Sequence, residues 1–470
     1  MFSDIVAMIN GFLWGKLLMF LLVGVGVYFS IRLGFIQFRQ FGHAFKILRL
    51  SKSSDEGLSS AQVFFTSMAA RVGTGNMAGV AVAIVAGGPG AIFWMWIIAL
   101  LGMATAMIES TLAQVYKVKD KKTGEFRGGP AYYMELGLGQ RWMGILFSIL
   151  LIVAFGLVFV AVQANTITDA LATALHWDEV AVGIVLVLST ALIIVGGIKR
   201  VAVVASTVVP FMAGLYLILA LIVIMMNVGE LPAVVSLIVK SAFGLHEVAA
   251  GGLAYTVAQA MQSGVARGLF SNEAGMGSAA NIAASAAPNP NHPASQGFVQ
   301  MIGVFFDTIV ICTATAGIIL MTGAHENAGE LNGVGLLQQA LSSEVGDWSS
   351  SAIALAIFLF CFTTIIANYS YAESNILFLS SGNRSVLIPF RVVVLGMVMF
   401  GSVAKLQLVW DLADVSMGLM AAVNLIAILL LSGVAVRVIK DYTDQIQQGK
   451  LPKFNKSNFP DLKSKMKAWK

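Results

Sequence analysis

Charge is what this 470-residue chain has least of: Asp, Glu, Lys and Arg make up 11% of it, against 58% for the residues AVILMFWYC. A soluble protein of this length needs a charged skin over two or three domains, with about a quarter of its residues charged, and this chain cannot supply one. Cysteine is scarcer still. Cys312 and Cys361 both lie in apolar runs, too few for a disulfide framework or a zinc site, and read as small core residues. The five histidines fall outside those runs: His43 follows the first, and His176, His246, His292 and His325 lie in loops. Without a histidine proton relay, sodium is favoured over protons as a driving ion. The opening MFSDIVAMINGFLWGK lacks a basic n-region and a small-residue cleavage site, so the first apolar run is expected to remain in the mature protein.

What is present is apolar sequence in lengths that suit a bilayer. A helix needs about 20 residues to cross the hydrocarbon core, and eleven runs qualify, at residues 14–33, 62–86, 91–115, 142–168, 179–196, 201–228, 252–285, 296–322, 351–378, 384–404 and 408–436. Their even hydrophobicity excludes the alternating strands of a membrane barrel. The expected fold is an all-α polytopic membrane protein.

Basic residues orient it. With the N-terminus outside, 24 of the 29 lysines and arginines fall on one side, in the loops around Arg39, Lys117, Lys121, Lys199 and Arg384 and in the lysine-rich tail. Only Lys16, Lys240 and Lys405 lie opposite, beside acidic loops with Asp169, Asp178, Glu179, Glu326, Glu330, Glu344 and Asp347. This asymmetry puts the C-terminus in the cytoplasm. It also explains the basic pI better than nucleic acid does, and no obligate protein partner is evident.

Two basic residues remain inside the membrane, and they expose a repeat. Ala70-Arg71-x4-Asn76-x-Ala78-Gly79 recurs as Ala266-Arg267-x4-Asn272-x-Ala274-Gly275, 196 residues on. Setting one N-terminal helix aside, these open two five-helix halves, the second inserted upside down. Inverted repeats of this kind mark secondary transporters that rock around a midplane site. The expected organisation is an N-terminal helix with its linker (1–55), two repeats (56–228 and 229–436) and a basic cytoplasmic tail (437–470).

Both repeated helices are weak at their centres, at Gly73-Thr74-Gly75-Asn76 and at Ser263-Gly264, Gly268, Ser271-Asn272 and Gly275-Met276-Gly277-Ser278. A helix broken there offers N–H groups to a carboxylate and C=O groups to a cation. Glycines that only allow close helix packing are the plainer alternative. In the ninth run the Phe360 carbonyl and the Thr363 and Thr364 hydroxyls share a face, a hard-oxygen set suited to an alkali cation. Gln163 is either a substrate ligand or an interhelical hydrogen bond. The intramembrane charges Arg71, Arg267, Glu109, Glu273, Asp307 and Glu373 are gating or ion-pair candidates, each arginine expected to help latch one gate.

The run Gly73-Thr74-Gly75-Asn76-Met77-Ala78-Gly79-Val80, then Gly87-Gly88-Pro89-Gly90-Ala91-Ile92-Phe93-Trp94-Met95-Trp96 and Glu109, resembles the signature of the alanine/glycine:cation symporter family. Arg267-Gly268-Leu269-Phe270-Ser271-Asn272-Glu273-Ala274-Gly275 and the Gly128-Gly129-Pro130 loop resemble it too. The resemblance implies a plasma-membrane carrier with eleven spans and a LeuT-type 5+5 inverted repeat, moving alanine or glycine with Na⁺. It further implies that carbonyls of Ala69 and Val72 with the hydroxyls of Thr363 and Thr364, beside Phe360, hold one sodium. Gly73, Thr74, Gly75, Asn76, Gln163, Phe270 and Ser271 would then surround the amino acid, Phe270 limiting its side chain. A channel would build its pore from repeated rings rather than from an inverted pair. An enzyme would need a nucleophile or metal cluster that the runs do not contain.

Overall fold

The computed structural model describes residues 2–52, 57–120, 122–245, 256–326, 331, 333–346 and 348–469. Lys121, His246, Glu330, Asp347, the boundary at 55–56 and the first four residues of the seventh run lie outside them.

Every apolar run is helical. In chain order the helices of these runs are α1 (Val6–Arg32), α2 (Ser60–Arg71), α3 (Ala78–Gly87), α4 (Gly90–Val115), α5 (Arg141–Leu175), α6 (Glu179–Ile194), α7 (Gly197–Met226), α8 (Val257–Asn272), α9 (Ser278–Ala284), α10 (Ala294–Met321), α11 (Trp348–Leu379), α12 (Arg384–Val403) and α13 (Leu406–Gln447), with shorter helices such as Phe41–Arg49, Leu231–Ala242 and Val334–Val345 between them. Among the described residues eight are long and apolar enough to cross a membrane: α1, α4, α5, α7, α10, α11, α12 and α13. The second and seventh runs are each cut in two, α2 from α3 and α8 from α9, and α6 is a shorter apolar helix. The chain is thus a mostly helical polytopic membrane protein.

The two cut helices lie side by side and run in opposite directions. At one end the Leu58 N–H donates to the Ser285 carbonyl (3.1 Å) and the Ala287 N–H to the Leu58 carbonyl (2.9 Å). At the other, Gly87 packs against Ser263 so closely that a Cβ would collide with it. Each cut helix also begins with the same device, a capping box at Ser59/Gln62 and at Thr256/Gln259, which satisfies its first N–H groups from its own side chains.

The loops rich in lysine and arginine meet on one face. Glu125, after α4, takes Lys199 (3.8 Å) and Arg384 (3.4 Å), while Lys465 donates to the Gly137 carbonyl (2.9 Å). The start of α1 lies at the opposite face, where Asn10 donates to the Asp411 carbonyl (3.2 Å) at the beginning of α13.

The basic segment from 437 onward packs back onto its own face. Phe454, Phe459, Leu462, Met466 and Trp469 are buried, and the Phe454 N–H donates to the Asn291 carbonyl (3.0 Å). The Trp469 indole donates to the Gln114 carbonyl at the end of α4 (2.7 Å), one of the acceptors every helix C-terminus leaves open. His292, buried between α9 and α10, lies 3.0 Å from an Asp441 oxygen.

Burial holds the His292 imidazole below its ordinary pKa, with Asp441 opposing. The folded protein therefore binds this proton less readily than the unfolded chain, whose histidine titrates at about 6.5. Its contribution favours folding above that pH and is lost as pH falls below it. The thermal midpoint of the purified protein is expected to drop between pH 7.5 and 5.5, and His292→Gln to flatten that slope; an unchanged slope assigns it to other groups.

Candidate functional site

Between α2 and α3 the backbone leaves the helix at Val72 (φ −82°, ψ 91°) and turns once through Thr74–Asn76. In a membrane each freed polar group needs a partner inside the protein, at several kcal/mol if it finds none. Side chains supply them. The Gly73 N–H donates to Asn76 Oδ1 (3.0 Å) and the Thr74 N–H to Gln163 Oε1 (3.0 Å), while the Thr74 hydroxyl lies 2.8 Å from the same Gln163 oxygen. Gln163 thus caps the break from α5. A Cβ on Gly73 would strike the Thr364 hydroxyl and Gln163 Oε1, so only glycine lets three helices meet there.

The second break lies one turn later in the repeat register. α8 continues through Asn272, and the chain then passes through left-handed backbone at Glu273 (φ 59°), Gly275 (φ 106°) and Gly277 (φ 76°). Asn272, the match of Asn76, instead caps its own turn by accepting the Ala274 N–H (3.0 Å). Glu109 on α4 receives the Asn424 amide (2.5 Å). Asn424 also donates to the Gly275 carbonyl (2.9 Å) and accepts the Tyr133 hydroxyl.

Asp307 joins the breaks. It sits in a wide turn of α10 (Phe305–Cys312), a geometry common at functional sites. Its carboxylate accepts from Asn76 Nδ2 (2.6 Å) of the first break and from Ser271 Oγ (2.8 Å) at the second, with Thr308 Oγ1 also at 2.8 Å. Over this junction the Phe270 ring lies against Gly75, flanked by Phe159 (4.7 Å) and Trp410 (5.0 Å). Both cysteines are buried here: Cys312 Sγ is 3.1 Å from Ser271 Oγ and Cys361 Sγ 3.3 Å from Thr74 Oγ1.

The charges divide into two groups. Arg71, at the end of α2, donates to the Gln300 carbonyl (3.3 Å) and acts electrostatically on Glu109, Glu273 and Asp307. No carboxylate among the described residues pairs with it within 4 Å. Arg267, on α8, grips both oxygens of Asp414 and lies 4.8 Å from the Trp410 ring. Glu273 accepts the Ser278 hydroxyl (2.6 Å). Glu373 stands apart on α11 beside Tyr369, whose hydroxyl takes the Arg391 Nε–H (2.8 Å).

One spot has the chemistry to hold a cation. The Thr364 hydroxyl lies 2.7 Å from the Ala69 carbonyl, 3.3 Å from that of Val72 and 2.9 Å from that of Phe360. Four neutral oxygens thus converge beside the first break, a set that suits a hard alkali ion. Thr363 turns away: its hydroxyl donates to the Phe360 carbonyl (2.9 Å) and lies near the Met212 sulfur.

The model of the sodium:alanine symporter family matches residues 1–456. The chain belongs to that family. It is 49% identical over 463 residues to the amino-acid carrier protein AlsT of Bacillus subtilis (strain 168), covering 98% of this chain and 97% of that protein. It is 50% identical over 456 residues to the probable sodium/glutamine symporter GlnT of the same organism, covering 97% and 93%. The sodium/alanine symporter AgcS of Methanococcus maripaludis is 37% identical over 454 residues, covering 94% and 98%. For a sodium:alanine symporter, sodium is the coupling ion.

Several residues of this symporter's junction escaped the sequence. Asp414 lies only two turns into α13 and looks like an interfacial charge until Arg267 is seen to reach it. Asn424, Trp410 and Thr308 belong to no motif. The capping boxes were findable, because Ser59-x2-Gln62 and Thr256-x2-Gln259 recur 197 residues apart beside the arginine repeat.

Gly73→Ala is expected to abolish uptake and to lower the thermal midpoint, since the added methyl must push Thr364 or Gln163 out of the break. A variant that transports like wild type would show that the break has room the geometry denies it.

Proposed function

We propose that this protein carries a small neutral amino acid, alanine or glycine, into the cell together with Na⁺ by alternating access. The observation that carries the reading is the Thr364 hydroxyl on α11, which reaches the Ala69 and Val72 carbonyls at the first break. Four residues beyond Val72, Asn76 is bonded to the second break and to Asp307. A cation at Ala69, Val72, Phe360 and Thr364, with Thr363 in the same turn, and an amino acid at the break favour the same closed arrangement. Neither then leaks alone.

On this reading the substrate carboxylate takes over the Gly73 and Thr74 N–H groups that Asn76 and Gln163 hold in its absence, with Gly75 and Ser271 beside it. Relatives carry both alanine and glutamine in their names. The close packing of Phe270 on Gly75, backed by Phe159 and Trp410, favours a small side chain. Arg267 with Asp414 latches the outer side, and Arg71 with Glu109, Glu273 and Asp307 serves the inner half, Glu373 lying at its margin. The proposed fold is the LeuT-type core: two inverted five-helix repeats (56–228 and 229–436) after one N-terminal helix, eleven crossings in all. That count adds α2 with α3, α8 with α9, and α6 to the eight long helices. The setting is the plasma membrane, with the N-terminus outside and the basic C-terminal segment in the cytoplasm.

Purified protein in liposomes is expected to accumulate labelled alanine under an inward Na⁺ gradient and not under K⁺; equal uptake in both would refute sodium coupling. Excess glycine should compete strongly and glutamine weakly. Thr364→Ala removes one oxygen ligand, worth about 1–2 kcal/mol, and should raise the Na⁺ concentration for half-maximal uptake roughly tenfold. An unaltered sodium requirement would move the cation elsewhere.

A further inference from the structure

The short helix α9 is fastened at both ends to α4. At its start, the Asn424 amide ties the Glu109 carboxylate (2.5 Å) to the Gly275 carbonyl (2.9 Å). Past its end, the Gln114 amide donates to the Ala283 (2.5 Å) and Ala286 (3.2 Å) carbonyls, and the Lys117 ammonium to that of Ala286 (2.8 Å). Between these points only small side chains touch, with Ala113 packed on Ala280 and Ala284. α9 has seven residues, too few for a helix to be stable alone, and a face of alanines has no ridges to lock it. Elsewhere it is held by the Asn375 amide on the Asn281 side chain (3.0 Å) and by the Leu58 backbone at its end, so against α4 its position is set by these two fastenings.

Each fastening is itself held from outside the broken helices. Asn424, fully buried on α13, binds the Glu109 carboxylate and the Gly275 carbonyl at once, and it fills the space that a side chain at Gly277 would need. At the far end the Trp469 indole donates to the Gln114 carbonyl. It also covers Lys117, whose ammonium lies 4.7 Å from the Trp469 ring and 4.0 Å from that of Phe126. Removing Asn424 would leave a buried carboxylate short of a donor, and removing Trp469 would open Lys117 to water.

We propose that α9 is the inner gate of this transporter, and that Asn424 and Trp469 are its latch residues, acting through Glu109 and through Gln114 with Lys117. The proposal rests on the alternating-access reading above and goes beyond it in naming the moving part. α9 closes the path from the inner face to the breaks, and inward opening requires both fastenings to let go. Asn424 and Trp469 touch neither substrate nor ion, so they are positioning residues.

The chain carries its own reporters. Cys312 and Cys361 are its only cysteines, and both are buried at the breaks. The rate at which a small methanethiosulfonate labels them in the purified full-length protein therefore measures opening. Asn424→Ala and Trp469→Ala are each expected to speed labelling about tenfold without ligand, and saturating Na⁺ with alanine to restore the slow rate. Trp469→Phe, which keeps an aromatic ring over Lys117 and loses the indole N–H, should fall between. Trp142→Ala, at an exposed position on α5, should label as wild type does. Wild-type rates in both latch variants would overturn the proposal. Fast labelling that Na⁺ and alanine fail to slow in the variants, while slowing it in wild type, would overturn it too, because it shows loosened packing rather than a released gate. Should Na⁺ and alanine leave wild-type labelling unchanged, the transport reading falls, while faster labelling of the latch variants still identifies α9 as the barrier to the breaks.

Discussion

A membrane gives an interrupted helix no water to fall back on, and this constraint organises the whole molecule. Each break frees backbone N–H and C=O groups at a depth where only protein can answer them. The answers come from several sides: Gln163 from α5, Thr364 from α11 and Asn424 from α13. The surrounding helices are scaffolding in a specific sense. They supply the hydrogen bonds that the broken helices gave up.

Asp307 shows how the two breaks become one site. A lone carboxylate in hydrocarbon is expensive, yet this one is enclosed by donors from both breaks and from its own wide turn. Loosening either break strips it of donors, so the cost of disturbing one break is felt at the other. Such sharing is how binding at one spot is made to depend on occupancy of its neighbour.

Hydropathy made the helices legible, and the weak centres of the second and seventh runs announced where they are cut. Spacing did less well with direction. Thr363 and Thr364 share a helical face with Phe360 in the sequence, but only the i+4 hydroxyl points at the first break, since 100° per residue separates neighbours. The matched asparagines lost their equivalence for a similar reason: one extra turn in α8 makes Asn272 a cap while Asn76 becomes a bridge. Glu109 was visible as a buried charge, but not as the partner of Asn424, 315 residues away. The C-terminal segment hid its packing because its five anchoring apolar side chains are scattered among lysines and leave no periodic trace.

The partners of the first break also set an order of events in time. The Thr74 N–H waits for Gln163, 89 residues later in the chain, and the Ala69 carbonyl for Thr364, 295 residues later. During synthesis α2 and α3 enter the bilayer long before either partner exists. Until α11 arrives, the cheapest course for this stretch is to close its own i to i−4 bonds as an unbroken helix. The break is thus opened late, by the arrival of the residues that hold it open.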